Sequence, residues 1–355
     1  MKDMVLSRRQ ALGAMSAGVL GAAAVHAAEQ PRRFVTRGVV LYPWDLSLSD
    51  WPERAHKAGI TTIGLHAAQR LDVLVDFVKS EQGQQFLDTC RQLGLEVEYE
   101  LHAIGTLLSR EWFGSPRRDM FRADKSGERN RDFNCCPSSN EALEIIAGKA
   151  VEYGRVLKPT TGRYFYWPDD NREWCHCPEC KGLTSSDQAT LVENAIVAGL
   201  RKHLEPNAML SHISYGVTLA PPRAIKPHEG LFVEFAPIGR VYDRAIDDPD
   251  VKLDNKDPEP KSHAEYLEIL DANLEVFHRE TAQILEYWLD VSRFSGWKRP
   301  GVKLPWSYTV MKADADAYAK RGIRHVTTFA TWIDADYVNR FGEPPLDEYV
   351  DGLNG

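Results

Sequence analysis

The sequence predicts a single (β/α)₈ barrel, the TIM-barrel architecture, and three observations support this fold class. Short strand-like runs alternate with longer amphipathic helical patterns, about eight such runs fit into 355 residues, and most runs are almost continuously apolar. Strand–helix alternation with apolar strands predicts a parallel sheet covered by helices. Eight such units predict closure into a barrel. The alternative is an open doubly wound sheet, because no clear helix follows the fifth strand.

The first half of the chain contains four predicted strands. They are GVVLYPWD (38–45), TTIGLHA (61–67), LEVEYELHA (95–103) and RYFYW (163–167). Helices are predicted over 50–59, from Leu74 to the stop signal at Gly94, and over 139–159 with Ser139 as the N-cap. A long loop rich in Arg, Gly and aromatic residues occupies 103–138.

The second half repeats the pattern. Its predicted strands are AMLSHISYG (208–216), GLFVEFAP (230–237), ILEYWLD (284–290) and HVTTFATWID (325–334). Its predicted helices cover 187–204, 264–280 and 311–321, followed by a short C-terminal helix. The first of these helices is expected to be capped by Ser186 or Asp187. A Pro-rich link joins the fifth and sixth strands, and a polar loop occupies 239–260.

The N-terminus has the composition of an export signal. Arg8 and Arg9 precede a stretch rich in Ala and Gly, and small residues follow at Ala27 and Ala28. This pattern resembles a bacterial twin-arginine signal, and a membrane anchor is the alternative. We therefore expect a signal peptide over 1–28 and one barrel domain over 29–355. The mature protein is expected in the periplasm or outside the cell, without a membrane-spanning segment.

Charge and aromatic content restrict the partners of the chain. The formal net charge is −8, and no cluster of Lys and Arg with interleaved aromatic residues is present. These features argue against a nucleic-acid partner. Nine Trp residues together with many carboxylates suit a glycan-binding cleft.

The predicted strand ends carry many polar and aromatic side chains. Active sites of this barrel form at the carboxyl ends of the strands. In chain order these ends supply Trp44 and Asp45, His66, Glu100 and His102, Asp169 and Asp170, His212 and Tyr215, Glu234, Glu286 and Asp290, and Trp332 and Asp334. Taken singly, an Asp or Glu at such a position can cap the next helix, and a His can belong to the core. Together they favour a functional site.

This set of residues suits glycoside cleavage. The reaction needs one carboxylic acid to protonate the leaving oxygen and a second group to stabilise the oxocarbenium-like centre. Trp44, Trp167 and Trp332 are candidate platforms for sugar rings. Glu234, Glu286 and Asp290 are candidates to bind sugar hydroxyls. Glu286 is also the second candidate, after Asp169 and Asp170, for a catalytic carboxyl group. His66, His102, Tyr215 and Asp334 complete the predicted substrate-binding set.

Four motifs in order resemble one bacterial family. They are ELHAIGTLLSREWFGSPRRDMFRADKSGERNRDFNCCPSSNEAL, YFYWPDDNREWCHCPEC, LFVEFAPIGR and LEYWLDVSRFSGWKRP. Together they are similar to the DUF4838 group, part of which is grouped with glycoside hydrolase family 163, endo-β-N-acetylglucosaminidases. The resemblance implies cleavage of N-acetylhexosaminyl bonds with the substrate's acetamido group as nucleophile. By analogy with such hexosaminidases, Asp169 would orient the acetamido group and Asp170 would be the acid/base. No cofactor is then required for catalysis.

Six cysteines are present, and three of them lie within CHCPEC (175–180). Cys175, Cys177 and Cys180 with Cys136, or with its neighbour Cys135, supply the four ligands of a structural zinc site. Disulfides, which export favours, and free thiols are the alternatives. Cys90 lies in an amphipathic helix and is predicted to be a core residue.

Two other functions compete with the hydrolase. One is a glycan-binding barrel without catalysis. The other is a metal-dependent barrel isomerase or lyase, with His66, His102, His212 and Glu234 as ligands.

Overall fold

Eight parallel strands close into a barrel in sequential order, which confirms the predicted fold class. The computed structural model describes residues 33–68, 70–114, 116–256 and 259–355. The predicted signal peptide, 1–28, lies outside the described residues. The strands are β1 Thr36–Leu41, β2 Thr62–Ala67, β3 Glu96–His102, β4 Arg163–Trp167, β5 Met209–Ser214, β6 Leu231–Phe235, β7 Gln283–Glu286 and β8 His325–Phe329.

Helices connect and surround the strands. They are α1 Trp51–Ala58, α2 Leu71–Lys79, α3 Glu81–Leu93, α4 Ile104–Leu107, α5 Asn140–Val156, α6 Ser185–His203, α7 His263–Val276, α8 Val291–Phe294, α9 Tyr308–Lys320, α10 Ala335–Phe341 and α11 Leu346–Asn354. Pairing of β1 with β8, with Val40 opposite Phe329, closes the barrel. In the part of the chain that the structure describes, no helix has both the length and the apolar character needed to cross a membrane.

Alternation along each strand divides the core into two clusters. On β4, Phe165 and Trp167 belong to the cluster inside the barrel, whereas Tyr164 and Tyr166 belong to the outer cluster that packs against the helices. This follows from the two-residue period of a strand. Parity along a strand therefore decides whether a side chain faces the barrel interior or the helices.

Several predicted helix boundaries were wrong. The helix predicted over 264–280 is α7, which ends at Val276. The helix predicted from Leu74 to Gly94 is two helices, α2 and α3, because Ser80 breaks it and accepts a hydrogen bond from the backbone N–H of Gly83 at 3.1 Å as the N-cap of α3. The N-cap of α6 is Thr184 rather than Ser186 or Asp187. The predicted N-cap Ser139 is confirmed and accepts from the N–H of Ala142 at 3.3 Å.

The missing helix between β5 and β6 has a local cause. Asp187 Oδ1 accepts three successive backbone N–H groups of the link, those of Arg223, Ala224 and Ile225, at 2.7–3.0 Å. A carboxylate thus satisfies backbone donors that a helix would otherwise pair. The Pro-rich link is therefore fixed to the start of α6, and the barrel closes without an α-helix between β5 and β6.

Candidate active site

A pocket opens at the carboxyl ends of the barrel strands, and we call it the central pocket. Its volume is about 180 Å³. Its walls are Tyr42, His66, Ala68, His102, Trp167, Asp170, Ile213, Tyr215, Ile238, Leu285, Tyr287, Asp290, Ser292, Trp297, Phe329 and Thr331. Six predicted site residues are therefore brought together here: His66, His102, Trp167, Asp170, Tyr215 and Asp290.

Two histidines form one wall of the central pocket. His66 Nδ1–H donates to the carbonyl of Glu100 at 2.8 Å, and His102 Nδ1–H donates to the carbonyl of Pro168 at 2.6 Å. Burial, and then the nearby His102, lower the pKa of His66 to about 3, so His66 is neutral. The protonated Nδ1 leaves Nε2 of His66 as a hydrogen-bond acceptor.

Asp170 stands at the edge of the central pocket. Its Oδ1 accepts a hydrogen bond from the Tyr215 hydroxyl at 3.1 Å and lies 3.9 Å from His102 Nε2. The side chain remains 47% exposed. Burial, and then the charge of Asp170, raise the pKa of Tyr215, so its hydroxyl stays a donor. A positioned but accessible carboxyl group is suited to exchange a proton with a bound molecule.

Asp290 is the second carboxylate of the central pocket. Its Oδ1 accepts from the Ser292 hydroxyl at 2.6 Å, from the backbone N–H of Arg293 at 3.1 Å and from the Thr331 hydroxyl. Burial raises its pKa above the ordinary value for an aspartic acid. These three donors fix the carboxyl group in one orientation.

Asp169 points away from the central pocket. Its Oδ1 accepts the backbone N–H of Gly105 at 2.8 Å, and its Oδ2 accepts that of Asn134 at 2.6 Å. Arg110 Nη2 lies 3.6 Å from Oδ2, and the side chain is only 14% exposed. The adjacent carboxylates therefore have different surroundings, because the chain turns after Pro168. Asp169 joins the β4 turn to the long loop 103–138, so the geometry does not support an acetamido-orienting role.

A second pocket lies on the loop side of this turn, and we call it the side pocket. Its volume is about 410 Å³, and it is lined by Gly105, Thr106, Arg110, Asp132, Phe133, Asp169, Asp170 and Arg172. Asp170 is thus shared by both pockets. Ionic side chains dominate the side pocket, whereas aromatic and apolar side chains dominate the central one.

The residues predicted at the ends of β1 and β8 support the central pocket from outside. Asp45 is buried, and its two oxygens accept the backbone N–H groups of Tyr42 and Trp332 at 2.9 and 3.0 Å. Burial raises its pKa to about 7. Trp44 is 51% exposed and stacks on Tyr42 with ring centroids 4.0 Å apart. Trp44 therefore contacts the pocket wall rather than the pocket.

Trp332 and Asp334 pack around one arginine. The Arg299 guanidinium lies 4.5 Å from the Trp332 ring centroid, and its Nη2 donates to Asp334 Oδ2 at 2.7 Å. Asp334 also caps α10 by accepting the N–H of Tyr337. Neither residue belongs to the walls of the central pocket, so their predicted contact with a sugar is not supported by this geometry.

Glu234 lies inside the barrel, beneath the pocket. Its Oε2 accepts from Trp167 Nε1 at 2.9 Å, and its Oε1 accepts from Gln283 Nε2 at 3.0 Å. Burial raises its pKa to about 8, and burial together with Glu234 raises the pKa of the neighbouring Glu100 well above its ordinary value. The prediction that Glu234 binds sugar hydroxyls is corrected: it holds the Trp167 ring from below.

Glu286 lies outside the barrel lumen. It is completely buried, 3.2 Å from Arg240 Nη2, and it accepts from the Tyr318 hydroxyl of α9 at 2.5 Å. Asp314 shares the same guanidinium. Leu285, the preceding residue on β7, faces the barrel interior. Since successive side chains of a strand point to opposite faces, Glu286 faces the helices. The predicted catalytic role of Glu286 is therefore excluded by its position, because a sealed ion pair cannot reach a substrate.

The ligand set of the alternative metal-dependent enzyme does not assemble. His212 is buried and faces α6, where its Nδ1 lies 2.7 Å from Glu193 Oε2, and Glu234 is already paired as described. Within residues 33–68, 70–114, 116–256 and 259–355, the set of metal-ligating side chains that comes together is Cys136, Cys175, Cys177 and Cys180. All six cysteines are free, so the disulfide alternative is not observed.

Sequence reasoning missed Tyr42, Tyr287 and Trp297 as walls of the central pocket. Trp297 is 65% exposed and has a left-handed backbone, with φ of 55°. A large exposed aromatic residue in this strained conformation is uncommon, and strain of this kind clusters at binding sites. The Gly296-Trp297 pair was the sequence signal for this wall of the pocket. It lies beyond α8 and not at the end of a strand, so its position alone did not indicate the pocket.

Two solved structures share this architecture. A β-N-acetylhexosaminidase from Bacteroides fragilis NCTC 9343 superposes with a TM-score of 0.54 at 11% identity, over 90% of this chain and 66% of that one. Gan42B, a GH42 β-galactosidase, superposes with a TM-score of 0.53 at 11% identity, over 91% of this chain and 56% of that one. This chain therefore spans two thirds or less of both structures. At such identity the likeness establishes a shared fold.

A comparison with curated protein sequences finds no significant match. The model of the family described as "Domain of unknown function (DUF4838)" matches residues 65–277. That segment runs from β2 to the end of α7 and includes Asp169, Asp170 and the four clustered cysteines. Since it covers more than half of the sequence, the predicted resemblance is confirmed: this chain belongs to the DUF4838 family.

Proposed function

We propose that this chain is a glycoside hydrolase that cleaves N-acetylhexosaminyl bonds, with Asp170 as the acid/base residue. The observation that carries this proposal is the position of Asp170 between two pockets. A general acid of a glycosidase must reach the oxygen that joins the sugar being cleaved to the leaving group. A carboxyl group shared by the central and side pockets meets that requirement when the sugar occupies the first and the leaving group the second.

The central pocket suits the sugar ring. Tyr42, Trp167, Tyr287 and Trp297 provide aromatic surface, and His66 Nε2 and the tyrosine hydroxyls provide hydrogen bonds in fixed positions. Burial holds the pKa values of Tyr42 and Tyr287 above that of a free tyrosine, so both hydroxyls stay protonated. Neutral polar groups and aromatic faces match a sugar, which presents hydroxyls at its edge and C–H groups on its faces.

In the proposed reaction, the substrate's acetamido oxygen attacks the anomeric carbon while Asp170 gives its proton to the departing oxygen. Water then opens the cyclic intermediate, and Asp170 takes a proton from that water, so the configuration is retained. Asp290 replaces Asp169 in the acetamido-orienting role, since it is the fixed second carboxylate of the central pocket. The fold shared with a β-N-acetylhexosaminidase supports this substrate class, and the chemistry requires no cofactor.

Export of the mature protein by the twin-arginine route is part of the proposal. The Arg8-Arg9 pair and the small residues at Ala27 and Ala28 support it. Sequencing the N-terminus of the protein recovered from a bacterial periplasm tests it. A mature chain starting near residue 29 is expected, and an uncleaved chain retained in the cytoplasm would contradict export.

The hydrolase proposal is tested with purified protein and a panel of aryl N-acetylhexosaminides and N-acetylglucosamine-containing glycans. We expect turnover by the wild-type protein and, on glycans whose leaving group is a sugar, a loss in kcat/KM of about 10²–10⁴-fold in Asp170→Asn, the range for removal of a general acid. Asp169→Asn is the matched control, with the same change one residue away. Equal activity of Asp170→Asn and wild type would overturn the assignment. Glycan affinity without turnover would instead identify a binding protein.

A further inference from the structure

We infer that Cys136, Cys175, Cys177 and Cys180 bind one Zn²⁺ in a tetrahedral sulfur site, and that this ion fixes the turn carrying Asp170. The four Sγ atoms all lie within 4.8 Å of one another and are buried. The Cys136 Sγ atom is 3.7 Å from that of Cys177 and 3.9 Å from that of Cys180. Zinc–sulfur bonds of about 2.3 Å in a regular tetrahedron require sulfur–sulfur distances of roughly 3.8 Å.

The donor set favours zinc over a larger cluster. Four sulfurs so close together match a single ion, whereas a cluster with several iron atoms needs wider spacing. The C-x-C-x-x-C segment and one distant cysteine give four ligands and no open position, as in structural zinc sites. Cys135, the other candidate for the fourth ligand, lies in the outer hydrophobic cluster between the barrel and the helices instead.

Backbone and side-chain donors surround the sulfurs. The N–H groups of Ala123 and Cys177 lie 3.2 and 3.5 Å from Cys175 Sγ, and Arg129 Nη1 lies 3.7 Å from the same atom. The Ser138 hydroxyl is 3.0 Å from Cys136 Sγ. Such donors reduce the excess negative charge of four thiolates on one divalent ion and hold the ligands in place.

The proposed site joins two segments that both reach the β4 turn. Cys136 follows Asn134 by two residues, and Cys175 follows Glu173 by two. Asn134 is buried. Its Oδ1 accepts the N–H of Asp169 at 2.9 Å, and its Nδ2 donates to the carbonyls of Arg172 and Glu173 at 3.2 and 3.0 Å.

These contacts form a closed loop, which we call the bracket. It runs from the metal through Cys136, Asn134, the turn 169–173 and Cys175 back to the metal. Gln188 on α6 fastens the second segment, because its side chain bonds both the N–H and the carbonyl of Cys175 at 3.0 Å. Asp170 lies inside this bracket and has few contacts of its own. Its position between the two pockets therefore depends on the metal through Asn134, which we assign as a positioning residue. The part of this inference that concerns catalysis rests on the proposed function.

The metal is tested first, without reference to activity. The full-length mature protein, produced in zinc-containing medium, is analysed for metal by mass spectrometry and for free thiols after denaturation. We expect about one zinc per chain, a loss of at least about tenfold in Cys177→Ser, and retention in the control Cys90→Ala. Cobalt exchanged into the wild-type protein should give the intense visible absorption of tetrahedral cobalt–thiolate coordination. Metal-free protein, iron in place of zinc, or four thiols lost to disulfides would each overturn the site.

The bracket is tested by hydrogen exchange. Removal of the ion with a chelator should increase amide exchange over 123–138 and 169–181, and leave 36–67 unchanged. In Asn134→Gly, glycine accepts the left-handed backbone found here, with φ of 47°. This variant should keep its zinc, yet show faster exchange at 169–173 and, if the chain is a hydrolase, a lower kcat with little change in KM. Unchanged exchange at 169–173 in both experiments would overturn the link between the metal and the turn.

Discussion

The central pocket and the side pocket meet at one carboxyl group but are built from different chemistry. The central pocket has aromatic walls, a neutral His66 and the buried Asp290. The side pocket has Arg110, Arg172, Asp132 and the side chain of Asp169. The first arises from strand ends, whose side chains are held by the barrel. The second arises from the long loop 103–138 and from the turn that this loop holds.

If the chain is a hydrolase as proposed, the central pocket holds the reacting bond and the side pocket recognises the leaving group. A barrel rim fixes side chains within narrow limits, which suits groups that act on a reacting bond. A loop-built pocket with ionic walls suits recognition of a variable leaving group. Changes in the central pocket should therefore alter kcat on every substrate, and changes in the side pocket should alter KM on extended substrates alone.

The largest effect on this comparison, after that of Asp170, is expected from Asp290→Asn. The substitution removes the fixed carboxylate proposed to orient the acetamido group, and kcat should fall about 10²–10³-fold on all N-acetylhexosaminides, as for loss of one preorganised polar contact. The measurement is steady-state kinetics on an aryl N-acetylglucosaminide. Asp334→Asn is the control, since Asp334 is equally buried but bonds Arg299 away from the pocket. A kcat within twofold of wild type would remove Asp290 from the mechanism.

Asp169→Asn should act on stability more than on chemistry. Its two carboxylate oxygens each accept one backbone N–H, and an asparagine has a single acceptor oxygen. One buried N–H then loses its partner, which costs about 1–3 kcal/mol in the free energy of unfolding. Denaturant titration measures this loss, and the kcat should fall far less than in Asp170→Asn. If Asp169→Asn abolished turnover without loss of stability, Asp169 would be a catalytic residue after all.

Phe133→Ala probes the side pocket. Its aromatic ring lies under the guanidinium groups of Arg122 and Arg172, whose carbons are 4.2 and 5.5 Å from the ring centroid. Removal of the ring should raise KM for an oligosaccharide by about two- to tenfold, corresponding to roughly 0.5–1.5 kcal/mol. KM for a simple aryl glycoside should not change. An equal rise for both substrates would contradict the division between the pockets.

The smallest effect concerns the carboxylates beneath the central pocket. The pKa of Glu234 is raised by burial from 4.5 to about 8, so between these values the folded chain keeps a proton that the unfolded chain releases. Its contribution to the free energy of unfolding is thus present below about pH 4.5 and is lost as the pH rises through about 8.

Glu234→Gln should make the fall in unfolding free energy between pH 5 and 8 shallower, and denaturant titrations at several pH values measure it. Glu144→Gln, which changes an exposed glutamate of α5, should leave the slope as in wild type. An unchanged slope in Glu234→Gln would mean that Glu234 is ionised in the folded protein.

Strand order, barrel closure and most helices followed from the alternation of apolar and amphipathic segments, because those periodicities reflect burial directly. Asp170, Asp290, His66 and His102 were also predicted correctly as pocket residues, from their positions at strand ends. A position at a strand end does not by itself tell which of the two faces of the strand a side chain occupies. Glu286 follows the inward-facing Leu285 and so turns to the helices, whereas Tyr287, one residue later, lines the pocket.

At β4, parity alone would have misassigned the aspartates. Phe165 and Trp167 face inward, so strict alternation would place Asp169 in the pocket and Asp170 outside. The turn after Pro168 reverses this arrangement, since Asp169 is captured by the backbone of Gly105 and Asn134. Gly105 and Asn134 lie 64 and 35 residues earlier in the chain, and a local pattern carries no information about them.

The role of Asp170 as the general acid is tested most directly by the dependence of kcat/KM on the leaving group in Asp170→Asn and in the wild-type protein. Aryl N-acetylglucosaminides with increasingly basic phenols need increasing help from a general acid. Since kcat/KM reports only the step in which the glycosidic bond breaks, kcat/KM of Asp170→Asn should fall little on the most acidic phenol and progressively more, up to about 10⁴-fold, as the phenol becomes more basic. A uniform loss across the series, or none, would contradict the assignment of Asp170 as the group that protonates the departing oxygen.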